Sequence, residues 1–138
     1  MKILILCTGN SCRSQMAEGY LRYLKPHWEI FSAGTHPEKE VNPYAVEVMR
    51  ELGISLDSHS PESVNKYVYD DFDYVITVCD DAKEKCPHFP GKVKHRLHHG
   101  FEDPALFKGP KEEVLMEYRR IRDQIREVFS AFALSVKE

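Results

Sequence analysis

Several features that would indicate membrane, secretory or nucleic-acid functions are missing from this sequence. No apolar run approaches the length needed to cross a bilayer. The first residues lead directly into a strand-like segment, so we see no signal peptide and expect a cytoplasmic protein. The formal net charge is only −3, which gives no reason to expect affinity for nucleic acid or an acidic membrane. Repeats, low-complexity segments and linkers are also absent, so we expect one domain over residues 1–138.

The sequence has four cysteines, which are Cys7, Cys12, Cys79 and Cys86. In a reducing compartment permanent disulfides are rare, which favours catalytic or redox functions for these side chains. A structural zinc site is the alternative, for which the additional candidate ligands are His95, His98 and His99. Cys7 and Cys12 have the C-x4-C spacing that zinc sites use, but six residues separate Cys79 from Cys86. The positive charge of Arg13 beside the thiols would oppose a cation. We therefore favour chemistry at the thiols.

Alternating strand and helix patterns predict an α/β fold, namely a four-stranded parallel sheet with helices on both faces. The predicted strands are Lys2–Cys7, Trp28–Ala33, Tyr74–Cys79 and an edge strand at Val93–His98. The predicted helices are Ser14–Lys25, a helix that starts at Asn42-Pro43 and ends at Gly53, a short helix at Ser60–Lys66, one or two turns at Asp80–Cys86, and Lys111–Ala133. The apolar stripe of the last helix predicts packing against the core.

The ends of the predicted strands carry chemically capable side chains. Cys7 and Cys79 each end a buried strand, and Asp103 follows the edge strand. In parallel sheets of this kind, ligands bind beyond the carboxyl ends of the strands. The sequence therefore predicts that these three residues meet at one rim of the sheet.

The stretch CTGNSCRS, residues 7–14, is typical of a loop that binds an oxyanion, because a strand leads through a tight turn into a helix start. Gly9 and Asn10 suit unusual backbone angles, and the nucleotide P-loop pattern is absent. A thiol that faces a helix N-terminus and an arginine is favoured as the nucleophilic thiolate. We expect Cys7 to be the nucleophile, and the predicted oxyanion-binding residues are Thr8, Gly9, Asn10, Ser11, Cys12, Arg13 and Ser14.

These motifs resemble the low-molecular-weight protein tyrosine phosphatase superfamily, and within it most closely the thioredoxin-coupled arsenate reductases. The similarity covers essentially the whole chain. It is carried by CTGNSCRS with the following QMAEG, by the pair Cys79 and Cys86, and by Asp103-Pro104-Ala105. The first motif is shared with the phosphatases, whereas the cysteine pair separates the two groups.

The resemblance implies a function for each of these residues. Cys7 would attack arsenate while Arg13 and the loop amides hold it, and Asp103 would be the general acid. Cys79 would then attack the adduct, Cys86 would resolve the resulting disulfide, and thioredoxin would reduce the product. Cys12 would be a supporting thiol without an essential step.

The resemblance also implies that no cofactor is required, although some family members bind an alkali cation beside the loop. The matching residues here are Asn10, Glu18, Ser32 and Glu62. A potassium ion could bind at this place. One of its ligands would differ from the family pattern, because Glu62 stands where that pattern has aspartate.

Two alternatives to arsenate reduction stay open from the sequence. A phosphotyrosine phosphatase would use the same Cys7, Arg13 and Asp103, but its aromatic wall after the Asp-Pro step is reduced here to Ala105 and Phe107. An oxyanion-binding or redox-sensing regulator without turnover would use the same thiols.

Overall fold

Four parallel strands form the sheet in the computed structural model, which describes residues 1–80, 89 and 91–137. The strands are β1 (Lys2–Cys7), β2 (Glu29–Gly34), β3 (Phe72–Thr77) and β4 (Val93–His98). Their order is β2-β1-β3-β4, and every neighbouring pair is parallel. The predicted fold class is confirmed, and β4 lies at an edge as expected.

The helices among the described residues follow the predicted order. They are α1 (Arg13–Leu24), α2 (Pro43–Arg50) and α3 (Lys111–Ser135), with short 3-10 helices at Val64–Lys66 and Pro104–Leu106. The turns predicted at Asp80–Cys86 cannot be compared, because residues 81–88 lie outside the described part of the chain. Within that part, none of the helices is both long and apolar enough to span a membrane.

Strand β1 lies at the centre of the core, which explains its continuous apolar run. The side chains of Ile3–Leu6 are fully buried, because both faces of the sheet are covered. On one face Tyr74 packs against Phe132 of α3, with ring centroids 5.0 Å apart. On the opposite face Phe31 packs against Tyr67, beyond the first 3-10 helix, with centroids 5.4 Å apart.

The start of α2 has the cap that the sequence predicts. The Asn42 side chain accepts hydrogen bonds from the Tyr44 amide (2.9 Å) and the Ala45 amide (3.4 Å), and Pro43 is the first helical residue. Gly53 follows the helix with a φ of 77°, a left-handed conformation that favours glycine. This cap fixes Asn42 beside the loop that follows β1.

Candidate active site

The loop between β1 and α1 is held at one end by the last residue of β1, Cys7, and at the other by the first residue of α1, Arg13. Cys7 closes β1 and is only 3% exposed. Asn10 has a φ of 50°, the left-handed conformation expected for it. The last residue of β2, Gly34, lies directly against the loop, since a Cβ there would come within 2.4 Å of the Thr8 carbonyl oxygen. Only glycine permits this close approach.

A segment that we call the strap, residues 35–42, holds the outer side of the loop. Four strap amides donate to loop carbonyls: Thr35 to Cys7 (3.2 Å), His36 to Thr8 (2.9 Å), Glu38 to Gly9 (2.8 Å) and Asn42 to Ser11 (2.8 Å). In a trans peptide the N–H points away from the carbonyl of the same unit. With the carbonyls turned to the strap, the following amides face the other way and are available to an anion.

Arg13 has one buried nitrogen that has no hydrogen-bond partner among the described residues. Its Nη1 donates to the Phe101 carbonyl at 3.0 Å, and its Nη2 lies 3.5 Å from Asp103 Oδ2. Its Nε is this buried nitrogen, for which the part of the chain that the structure describes supplies no acceptor. Buried donors are almost always paired in native proteins, so this nitrogen is suited to an anionic ligand.

The loop encloses a pocket of about 190 Å³. Its lining consists of residues 7–13 together with Glu38, Asp103 and Ala105. The Asp103 carboxylate also accepts from the Ala105 amide at 3.0 Å, which caps the second 3-10 helix and fixes the side chain at the rim. The structure thus brings Cys7, Arg13 and Asp103 to one pocket.

Cys79 lies next to Cys7, as adjacent strand ends require. The Cys79 thiol lies within hydrogen-bonding reach of the Cys7 thiol, and the Thr8 hydroxyl lies 3.4 Å from Cys79 Sγ. The hydrogen bond to Cys79 and burial raise the pKa of the Cys7 thiol, whereas the Arg13 charge and the Thr8 amide lower it. Burial raises the pKa of Cys12. The contact with Cys79 and burial therefore oppose the thiolate expected from the sequence, whereas Arg13 and the Thr8 amide favour it.

Removal of Cys79 should increase the reactivity of Cys7. In Cys79→Ala the largest cause of the raised Cys7 pKa is absent, so more thiolate exists at neutral pH. We expect iodoacetamide to alkylate Cys7 at pH 7 several-fold faster than in the wild type, with the midpoint of the pH profile shifted downward. Mass spectrometry of peptides identifies the alkylated residue. An unchanged or upward-shifted profile would contradict the influence assigned to Cys79.

A buried polar network behind the loop fixes Asn10. Its Nδ2 donates to Ser14 Oγ (2.8 Å) and Ser32 Oγ (2.9 Å), and its Oδ1 accepts from the Glu62 amide (2.9 Å). Ser32 in turn donates to Glu18 Oε1 at 2.6 Å. Sequence reasoning named Asn10 and Ser14 as oxyanion-loop residues, and Asn10, Glu18, Ser32 and Glu62 as cation ligands. It did not foresee this hydrogen-bonded chain.

The same residues do not fit a potassium ion. The Glu62 amide requires an acceptor, so the Asn10 atom that faces Ser32 is the NH₂ group, which cannot ligate a cation. The Glu62 carboxylate is 3.5 Å from Lys66 Nζ and 3.4 Å from Ser60 Oγ. Within the described residues, no group of three His, Cys, Asp or Glu side chains is arranged to hold a metal.

Two of the histidines considered for zinc have other partners. His98 Nδ1 shares a hydrogen bond of 2.7 Å with Thr77 Oγ1, and His98 Nε2 donates to Asp80 Oδ1 at 2.8 Å. His95 stacks on Tyr74 with ring centroids 4.8 Å apart. Cys86, the last predicted relay residue, lies outside the described residues.

Comparison with known proteins agrees with this arrangement. The family model described as low molecular weight phosphotyrosine protein phosphatase matches residues 2–138. The chain belongs to this family. The phosphatase-like resemblance expected from the sequence is thereby confirmed.

The relatives of this phosphatase-family chain include proteins named arsenate reductases. The arsenate reductase of Shouchella clausii is 46% identical over 132 residues, which is 95% of this chain and 94% of that protein. A solved structure described as an arsenate reductase in the phosphate binding state has 27% identity and a TM-score of 0.79, covering 99% of this chain and all of that one. A thioredoxin-dependent arsenate reductase from Corynebacterium glutamicum has 30% identity and a TM-score of 0.64, covering 98% and 63%.

Some components of the site carry no signal in the sequence. The strap acts through main-chain amides, so no side-chain motif marks it. Gln15 donates through Nε2 to the Asn10 carbonyl at 3.0 Å, and its Oε1 accepts from His59 Nδ1 at 2.9 Å. Glu38 reaches the pocket from the strap, and only its position after β2 could have suggested this.

Proposed function

We propose that this chain reduces arsenate to arsenite through a thiol relay that begins at Cys7. The arsenate reductase predicted from the sequence is confirmed by the curated relatives and solved structures that carry that name. The observation that carries the residue-level proposal is the position of Cys79 beside Cys7 at the oxyanion loop, where its Sγ lies 3.4 Å from the Thr8 hydroxyl. A phosphatase needs only the first of these thiols, whereas a reductase needs an electron donor beside it.

The first step is attack by sulfur on arsenic. The loop amides and Arg13 hold the arsenate oxygens, and Cys7 Sγ forms a bond to arsenic while a hydroxyl group leaves as water. Asp103 supplies the proton for that water, and the proton of the Cys7 thiol passes to an arsenate oxygen or to solvent. Arg13 contributes a planar set of donors that suits a tetrahedral oxyanion.

The second step transfers two electrons. Cys79 Sγ attacks Cys7 Sγ, the sulfur–arsenic bond breaks, and its electron pair stays on arsenic, which becomes arsenite. A Cys7–Cys79 disulfide remains. The Thr8 hydroxyl, 3.4 Å from Cys79 Sγ, is placed to stabilise the attacking thiolate.

The remaining steps restore the reduced enzyme. Cys86 attacks Cys79, which frees Cys7 and leaves a Cys79–Cys86 disulfide that a thioredoxin-type dithiol reduces. The thioredoxin-dependent neighbour supports this choice of reductant. The chain acts in this proposal as one cytoplasmic domain over residues 1–138, without a resident cofactor and without a nucleic-acid or membrane partner.

Asp103→Asn should slow the first step without weakening oxyanion binding. The asparagine keeps a side-chain oxygen that can accept from the Ala105 amide (3.0 Å in the parent structure) but supplies no acidic proton. General acid catalysis contributes roughly 10²–10⁴-fold, so single-turnover arsenite formation should fall by about that factor. Arsenate affinity, measured by competition with phosphate, should change little. A wild-type single-turnover rate would exclude Asp103 as the acid.

A second candidate activity, hydrolysis of aryl phosphates, is favoured by one observation. A cavity of about 300 Å³ adjoins the oxyanion pocket and shares Ala105 with it. Tyr44, Phe107 and Tyr118 contribute aromatic walls to this cavity, which could accept a phenyl ring. This wall is more extensive than the sequence after Asp103-Pro104 suggested.

One assay decides between the two activities. The wild-type protein is supplied with thioredoxin, thioredoxin reductase and NADPH, and NADPH oxidation is followed with arsenate, while p-nitrophenol release is followed with p-nitrophenyl phosphate. We expect repeated arsenate turnover and at most slow release of p-nitrophenol. Phosphatase turnover without arsenate-dependent NADPH oxidation would reject the reductase.

A further inference from the structure

A buried carboxylate lies behind the oxyanion loop with an arginine bound to it. Glu18 is 9% exposed, and its Oε1 accepts from Ser32 Oγ at 2.6 Å. Its Oε2 accepts from Arg22 Nε at 2.9 Å, one turn further along α1. Arg22 also donates through Nη2 to the Ile30 carbonyl of β2. The guanidinium is therefore held by two elements at this carboxylate.

Arg22 is the cationic partner of Glu18 in this network. His59 Nδ1 is the other basic atom near the carboxylate, but it lies 2.9 Å from Gln15 Oε1 and 3.5 Å from Glu18 Oε2. The Nδ1 atom is therefore better placed to donate to Gln15 than to Glu18. The Arg22 contact is the shorter one and has a permanent charge.

We propose that Arg22 is a positioning residue that supplies, from within the chain, the positive charge needed by Glu18 and thereby holds the oxyanion loop. The contacts form one chain, from Arg22 to Glu18, from Glu18 to Ser32, and from Ser32 to Asn10. The proposal rests on the oxyanion site described above, but not on the reduction of arsenate.

The effect reaches the loop through Asn10. This residue has a φ of 50°, which costs energy for a residue other than glycine unless its surroundings fix it. Its side chain is fixed by Ser14, Ser32 and the Glu62 amide. A buried carboxylate without a counter-charge is strongly destabilised, so loss of Arg22 would drive Glu18 toward solvent and remove the acceptor that orients Ser32.

Two substitutions of Arg22 separate the effect of its charge from the effect of its hydrogen bonding. Arg22→Lys keeps the charge, whereas Arg22→Gln keeps a hydrogen-bond donor and removes the charge. The matched control is Arg50→Gln, which removes an exposed arginine that lies 3.3 Å from Asp57 and does not contact the loop network. Inorganic phosphate is the probe, and its affinity is measured by calorimetry in KCl and in NaCl at equal ionic strength.

We expect phosphate affinity to fall at least fivefold in Arg22→Gln, with a lower Tm, and to stay within twofold of the wild type in Arg22→Lys and Arg50→Gln. Wild-type affinity should be equal in the two salts. The double variant Glu18→Gln/Arg22→Gln removes both charges and should recover most of the lost affinity.

Two results would overturn the proposal. One is wild-type phosphate affinity in Arg22→Gln, and the other is a wild-type preference for KCl over NaCl, which would place an external cation at Glu18. If wild-type protein binds phosphate but fails to reduce arsenate, the proposed reductase activity is rejected. The comparison of Arg22 variants still tests the positioning proposal, because phosphate binding involves no redox step.

Discussion

Cys7→Ser should lose arsenate reduction and any phosphatase activity together, each by at least about a thousandfold. A serine hydroxyl is a far weaker nucleophile than a thiol, and this single atom begins both reactions. Phosphate affinity should be retained, because the loop amides and Arg13 are unchanged. Steady-state rates with arsenate and with p-nitrophenyl phosphate measure the first expectation, and calorimetry with phosphate measures the second.

Cys12→Ser is the matched control, since it changes another buried thiol of the same loop. Cys12 belongs to no step of the relay, so this variant should continue to turn over with thioredoxin. Activity of Cys7→Ser on either substrate would show that Cys7 is not the nucleophile of both reactions. Loss of turnover in Cys12→Ser, with the fold and phosphate affinity intact, would show that the thiols are wrongly assigned.

Cys86→Ser should make about one arsenite per protein molecule and then stop. Its Cys7 and Cys79 thiols are those already in contact, so the first disulfide can form without the third cysteine. The stalled protein should contain a Cys7–Cys79 disulfide, which non-reducing peptide mapping identifies. The arsenite yield is measured in a single incubation without thioredoxin and then with it.

The companion variant Cys79→Ser tests the order of the relay. It should release no stoichiometric arsenite, because the thiol that attacks the Cys7 adduct and supplies the electrons has been removed. Sustained turnover by Cys86→Ser with thioredoxin would show that the reductant attacks the Cys7–Cys79 disulfide directly. The relay through Cys86 would then be wrong.

The sequence predicted those parts of the molecule that depend on local patterns. The apolar run of β1, the Asn42-Pro43 cap and the position of Asn10 are all found as expected. Adjacent parallel strand ends also brought Cys79 to Cys7, because the register pairs Leu6 with Thr77. These features follow from backbone preferences and from the periodicity of burial.

The electrostatic state of the site was less accessible from the sequence. A helix start and Arg13 favour a thiolate at Cys7, but the contact with Cys79 and burial act in the other direction and raise its pKa. Which influence on the Cys7 pKa is stronger depends on how closely Cys79 and Arg13 approach Cys7, and only the folded chain defines those distances. The strap was missed for a related reason, since its contribution is made by amides that every residue possesses.

The support of the loop comes from residues far along the chain, and this determines when the site exists during synthesis. The strap amides and the Phe101 carbonyl that orients Arg13 are translated after the loop itself. At about 5–20 residues per second, roughly 4–18 s separate the emergence of Arg13 from that of Phe101. A nascent chain therefore carries the whole CTGNSCRS motif for seconds without a formed oxyanion pocket. During that interval Cys7 has the pKa of an ordinary cysteine, and oxyanion binding by the loop begins only when most of the chain has left the ribosome.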